Sequence, residues 1–259
     1  MTALPAAPLP RLKLALLLGL AAVIATLALL PYVFGVLMPL QRGGAHMSHL
    51  TVAGLVLLQY GPPSFIFAWL GLWFGERYGL TAPWLRAWVY RQPPPRSPQR
   101  WWWAILLGIL SALPTIAITT DWQQLGHPSA ARMLDWAWRG ALAMFQGGIT
   151  EEIMCRLFTM SLLVWLMARL GGGVRPWMFI VAIVVAALLF GALHLPAAVS
   201  LGMAGSPLAI VRIVLPNLIV GLPCGWLFWK YGLEHAMVAH FAGDFVLHVG
   251  SQLVLAALA

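Results

Sequence analysis

Seven runs of apolar residues, each long enough to cross a bilayer as a helix, leave this 259-residue chain almost no other way to fold. In order they are Leu14 to Met38, Val52 to Gly75, Trp101 to Thr120, Gly140 to Ala168, Trp177 to Leu193, Leu208 to Trp229 and Leu233 to Leu258. A hydrocarbon core of roughly 30 Å takes about 20 helical residues to span. Inside it every backbone group must be satisfied within the protein, which a helix does by itself. With 61% of residues apolar and 8% charged, the composition is not that of a soluble domain. The expectation is an all-α, polytopic membrane bundle of about seven to eight transmembrane helices, a single integral-membrane domain over residues 1–259. The first run follows Arg11 and Lys13, as a signal peptide would. It is longer than a signal core and no clear small-residue cleavage site follows, so it reads as a retained anchor.

The net charge of +8 lies in alternate loops. With the N-terminus inside, Arg11, Lys13, Arg77, Arg86, Arg91, Arg96, Arg100, Arg169, Arg175 and Lys230 fall on the inner side, and only Arg42, Arg132 and Arg139 on the outer. That asymmetry follows the positive-inside rule. Topology therefore accounts for the charge: the lipid bilayer is the partner and no nucleic acid is implied. The excess of Arg over Lys points to a GC-rich bacterial source, and the expected location is the bacterial cytoplasmic (inner) membrane. The loop from Glu76 to Arg100, with Pro93, Pro94 and Pro95, reads as a stiff basic connector near anionic headgroups, and Trp101, Trp102 and Trp103 as an interfacial anchor. Cys155 and Cys224 lie in apolar segments and read as packing residues, with no disulfide framework or Cys-based metal site.

Ionisable groups inside spans are costly and are functional candidates by default. The fourth run holds Glu151, Glu152 and Arg156. Glu152 and Arg156, four apart, meet on one helical face and neutralise each other. Glu151 is turned about 100° away and keeps its carboxylate available. Gly147 and Gly148, three and four residues earlier, leave the surface above it bare, open to water or a substrate backbone. The alternative is a packing device in which both acids share one arginine. His194 follows Phe190 by four and precedes Pro196, which should end or kink the segment; alone, such a histidine also suits an interface. His240 and Asp244 form another pair four apart, in which the acid can orient the imidazole by accepting its ring proton. His248, one turn on, would compete for Asp244. His46, His49, His127 and His235 lie in or beside loops, where solvated imidazole is expected. Arg212 is expected to snorkel to the interface, and Asn217 to make a polar contact in the cleft or between helices.

The patterns EExxxR at Glu151 to Arg156, FxxxH at Phe190 to His194 and HxxxD at His240 to Asp244 come in this order on successive apolar segments. In them the chain resembles the CPBP family of intramembrane endopeptidases, which includes the type II CAAX prenyl proteases and the bacteriocin-processing and self-immunity proteins. The resemblance covers a catalytic core of about residues 140–246. Leu157 stands where many members have Gly, and Asp244 where the prenyl-protein enzymes usually carry Asn. The resemblance implies hydrolysis of a peptide bond in a membrane-associated or lipidated protein or peptide. Glu151 and His194 would activate water, His240 and Asp244 would stabilise the oxyanion, and Glu152 and Arg156 would support them. An ionised Asp244 cannot donate to an oxyanion, so it either orients His240 or is held protonated.

Glu151, His194 and His240 are also N and O donors of the kind a catalytic zinc accepts, so a divalent metal stays open. With no HExxH helix in the sequence, such ligands would come from three segments. A non-catalytic binding or immunity protein of the same family and a proton-coupled transporter are the readings from other classes. Serine and two-aspartate protease designs fit less well: there is no GxSG, and Asp121 and Asp135 sit at a boundary. The span boundaries place Glu151, His194 and His240 at different depths, so tilt, a break near the glycines, or a re-entrant Gly202 to Pro207 stretch is expected.

Overall fold

The computed structural model describes residues 10–40, 47–95, 99–119 and 129–258; Arg42, His46, Arg96, Asp121 and His127 lie outside them. The described residues form α1 (Leu12–Leu40), α2 (His49–Tyr78), a short α3 (Pro83–Val89), α4 (Trp101–Thr119), α5 (Ala130–Leu170), α6 (Pro176–Leu193), a short α7 (Leu195–Ser200), α8 (Pro207–Tyr231) and α9 (Leu233–Leu258), with no strand among them. Seven helical stretches are long and apolar enough to cross a membrane, α6 and α7 counting as one. This is an integral membrane protein.

Its helices are sided by packing, not by polarity. On α1, Leu14, Leu18, Ala22 and Ala25 are buried while Leu12, Leu16, Leu20 and Ile24 are exposed. Both faces are apolar because lipid tails cover the outer one, so helices associate by close packing instead of by hydrophobic exclusion. Ser48, Ser129 and Ser206 cap α2, α5 and α8 by accepting the backbone N–H of Thr51, Arg132 and Ala209, satisfying donors that the first turn leaves free. Gly232, at φ 101°, separates α8 from α9 in a backbone conformation that other residues rarely adopt. Pro31 inside α1 is followed by a widened π turn at Val33–Leu37, and the Pro31 carbonyl accepts Arg139 Nη1 of α5 at 2.7 Å.

α5 runs through the bundle and packs against α1, α2, α6, α8 and α9. It begins ten residues before the hydropathy boundary at Gly140, because Arg132, Asp135 and Arg139 lower the apolar average without ending the helix. Arg139 and Asp135 pair at 2.8 Å on its surface. At 41 residues it is roughly 60 Å long, so Glu151 lies at its middle. The break expected near Gly147 is a widening: Gln146–Glu151 and Ile153–Met160 are π-helical, and the Thr159 hydroxyl donates to the Met154 carbonyl, five residues back. Residues Leu201 to Ser206 form the turn between α7 and α8.

At the basic end of the bundle Glu76 pairs with both Arg11 and Arg86, and Arg86 Nη1 donates to the Pro10 carbonyl. The Glu76 to Arg100 connector is therefore not simply a basic linker. Glu76 supplies the countercharge that buries Arg86, and Glu234 accepts the Leu85 N–H at 2.7 Å to hold the start of α3. His235 likewise departs from the solvated state expected of it. It is buried, stacked between Trp101 and Tyr231, with Nε2–H donating to the Gln99 carbonyl. Of the three consecutive tryptophans, Trp102 is the exposed one.

Candidate active site

The adjacent glutamates of α5 have different surroundings. Glu152 is fully buried; one oxygen lies 3.3 Å from Arg156 Nε and the other accepts His240 Nδ1–H at 2.7 Å. Arg156, itself buried, donates from Nη2 to the Gly221 carbonyl of α8 at 3.1 Å and lies 5.1 Å above the Phe190 ring. Glu151 makes none of these contacts. Its side chain keeps 24% of its exposure, and its Oε2 is 3.8 Å from His240 Nε2. Asp244 Oδ1 is also 3.8 Å from that nitrogen, and His248 Nε2 is 4.0 Å from Asp244.

The Nδ1 proton of His240 thus goes to Glu152, not to Asp244 as the spacing along α9 suggests. A partner one turn away on the same helix reaches only the Nε2 edge, whereas Glu152, braced by Arg156, faces Nδ1 from across the helix interface. The glycine surface also differs from expectation. A Cβ on Gly147 would meet the Asp244 carboxylate and lie 2.9 Å from His240 Nε2, and one on Gly148 would meet the Phe241 ring. Side chains of α9 occupy that surface, so the glycines let two helices approach closely. On α4, Gly108 does the same, with no room for a side chain against the Ala239 carbonyl.

His194 sits at the junction of α6 and α7, where Pro196 opens the new helix. Its Nδ1–H donates to the Phe190 carbonyl at 2.9 Å. That tautomer leaves Nε2 as the hydrogen-bond acceptor of the ring. No polar contact joins His194 to Glu151 among the described residues; the link runs through Phe190, whose ring stands edge-on to His194 at 4.9 Å and to His240 at 5.7 Å. The structure therefore gathers Glu151, Glu152, Arg156, His240 and Asp244 into one cluster and holds His194 beside it across a shared phenyl ring.

Residues that sequence reasoning passed over complete the surroundings. Gln146 is buried one turn before Glu151 and accepts the Thr26 hydroxyl of α1 at 3.2 Å, while Thr150 is fully buried against α1. Polar side chains inside apolar runs were the available signal. The Gly221 carbonyl left none, since a backbone acceptor has no residue signature. Asn217 bonds the Ile213 carbonyl of its own helix, and Arg212 is exposed.

Glu151, His194 and His240, the three donors considered for a metal, are not the ones that come within ligand range of each other. Among the described residues that set is Glu152, Cys224 and His240, all buried, with donor atoms within 4.8 Å of one another. Its members are already committed: Glu152 and His240 Nδ1 hydrogen-bond each other, and Arg156 supplies the positive charge. A cation would have to break that bond and sit beside a guanidinium, so these residues do not fit a resident metal.

A membrane-embedded helical bundle with one accessible and one locked carboxylate beside an imidazole defines a class of intramembrane acid–imidazole centre. Residues 133–246, α5 to the middle of α9, match the family described as Rce1-like type II CAAX prenyl endopeptidases, in agreement with the CPBP motifs. No curated protein and no solved structure matches the chain.

Proposed function

We propose that the protein is an intramembrane endopeptidase that hydrolyses a peptide bond of a membrane-associated or lipidated protein or peptide with water activated by Glu151 and His194. The observation that carries this reading is the division between the two glutamates. Glu152 is spent on Arg156 and His240, while Glu151, partly accessible and 3.8 Å from His240 Nε2, is free to take a proton. In the reaction, Glu151 and the free Nε2 of His194 draw a proton from water, and the water oxygen bonds to the scissile carbonyl carbon. The developing oxyanion is stabilised by Nε2–H of a cationic His240, whose other nitrogen is fixed by Glu152. Donors held in place before charge develops supply a large part of such catalysis. The C–N bond then breaks, and the proton held by Glu151 passes to the departing amine. Asp244 lies on the same Nε2 side of His240 as Glu151, 3.8 Å from that nitrogen.

The inner-membrane orientation with the N-terminus inside is part of the proposal. It is supported by the gathering of Arg11, Arg77, Arg86, Arg91, Arg100, Arg169, Arg175 and Lys230 at one end of the bundle.

The test uses the full chain in vesicles with a library of membrane-tethered peptides, prenylated and not, read by mass spectrometry. Wild type cleaves and Glu151→Gln loses about 10²- to 10⁴-fold, the range for a general base, while still binding the peptide. Absence of cleavage by wild type against every peptide, with binding kept, would instead support the non-catalytic binding reading. Proton-coupled solute uptake by the same vesicles would support the transporter.

A further inference from the structure

At the basic end of the bundle, away from Glu151, two concavities meet at Tyr231. One is a chamber of about 170 Å³ lined by Thr81, Trp84, Gln99, Lys230, Tyr231 and His235 among others. Two of its buried polar atoms, Thr81 Oγ1 and His235 Nδ1, have no hydrogen-bond partner. Because His235 Nε2–H donates to the Gln99 carbonyl, the neutral ring presents Nδ1 as an acceptor without a donor. Both atoms are fully buried behind the chamber wall, and the polar side chains of Thr81, Gln99 and Lys230 among its lining make it a place for a polar group.

The other concavity is an apolar groove of about 580 Å³ between α4 and α8, lined by Arg100, Trp103, Leu107, Leu222, Trp226 and Tyr231 among others. From Arg100 to Leu107 it extends about 10 Å along the helix axis, at roughly 1.5 Å per residue. Its mouth is cationic. Arg100 is exposed there with φ at 38°, a strained backbone for a non-glycine residue. Lys230 is exposed at the neighbouring chamber, its Nζ 3.4 Å above the Trp229 ring.

We infer that this composite site binds one anionic glycerophospholipid from the bilayer, its phosphate between Arg100 and Lys230, its polar headgroup in the chamber and an acyl chain in the groove. Charge complementarity selects the occupant: two cations where headgroups lie, and an apolar channel running from them toward the hydrocarbon. This site does not depend on the protease reading, because none of its residues belongs to the Glu151 cluster.

Native mass spectrometry of the full chain, purified in detergent and offered phosphatidylglycerol and phosphatidylcholine together, tests it. Wild type retains one phosphatidylglycerol in preference to phosphatidylcholine, by about fivefold for each cation engaged. The double variant Arg100→Gln, Lys230→Gln loses that preference, and Leu222→Trp, which fills the groove, loses the bound lipid. Thermal unfolding of each variant in the same detergent confirms that it is folded. Equal retention of the two lipids by wild type overturns the inference. So does a preference that survives the double variant, or a lipid that stays bound in folded Leu222→Trp.

Discussion

Replacing Gly147 by Ala adds one methyl group at the point where α9 lies against α5. That Cβ would lie 2.9 Å from His240 Nε2 and 3.3 Å from His240 Cδ2, and against the Asp244 carboxylate. Comfortable carbon contacts are about 3.5–4.0 Å, so His240 or Asp244 must move by roughly half an ångström or more. His240 resists, because Glu152 holds its Nδ1 at 2.7 Å and Arg156 holds Glu152. Overpacking of this kind costs about 1–3 kcal/mol of stability. Misplacing a catalytic group by about 1 Å costs up to about 10²-fold in rate. The expected result is a fall of about 10²-fold in kcat for cleavage of a membrane-tethered peptide, with a folded protein by thermal unfolding. Gly54→Ala is the control, because its Cβ meets nothing within 4 Å. If Gly147→Ala turns over at the wild-type rate with the wild-type melting temperature, the close approach of α9 to α5 is not as described and the proposed oxyanion geometry fails with it.

Arg156→Met leaves Glu152 buried without its countercharge and should cost about 3–5 kcal/mol in denaturant unfolding; a change below 1 kcal/mol would mean the pair is not buried. Phe190→Leu keeps most of the volume but removes the ring edge that positions both His194 and His240. It should lower kcat by about tenfold while costing under about 1.5 kcal/mol of stability, and a purely structural Phe190 would reverse that pattern. Cleavage should persist in protein stripped of metal and verified by elemental analysis, and Cys224→Ala should stay within about twofold of wild type. Loss on chelation with recovery on adding zinc would restore the metal-assisted reading.

Much of the fold was legible because hydrocarbon imposes a length on each helix. The seven apolar runs are the seven long helical stretches, and the fourth alone was misjudged at its start. There an amphipathic turn with Arg132, Asp135 and Arg139 continues α5 beyond the apolar run, which hydropathy averaging reads as an end. The i to i+4 spacing also gave the Glu152–Arg156 pair correctly, since both residues lie on one helix. Pairings between helices were not legible in the same way. Nothing in the spacing of His240 and Asp244 says that Glu152, 88 residues earlier, takes the Nδ1 proton. Nor does anything near His235 say that Trp101 and Tyr231 will enclose it. The bare glycine face was visible, but its meaning depended on which helix came to lie there.

Why one chain should carry two consecutive acids in a membrane-spanning helix follows from this geometry. A catalytic carboxylate in a bilayer needs an imidazole of fixed orientation beside it, and an imidazole in a dry interior needs a partner on the nitrogen it does not use. One acid cannot do both from a single position. Two adjacent acids on a helix point about 100° apart, so one can reach Nδ1 of His240 while the other stays on the Nε2 side. Arg156 then makes Glu152 tolerable, holding it by its guanidinium and in turn being held by the Gly221 carbonyl and the Phe190 ring. The π-helical turns on either side of Glu152 alter the usual angular spacing where this division is made, as widened turns often do at functional positions. In the proposed reaction Glu152 is thus the condition for Glu151 to work: remove its charge, and His240 loses the anchor that keeps its other nitrogen facing Glu151.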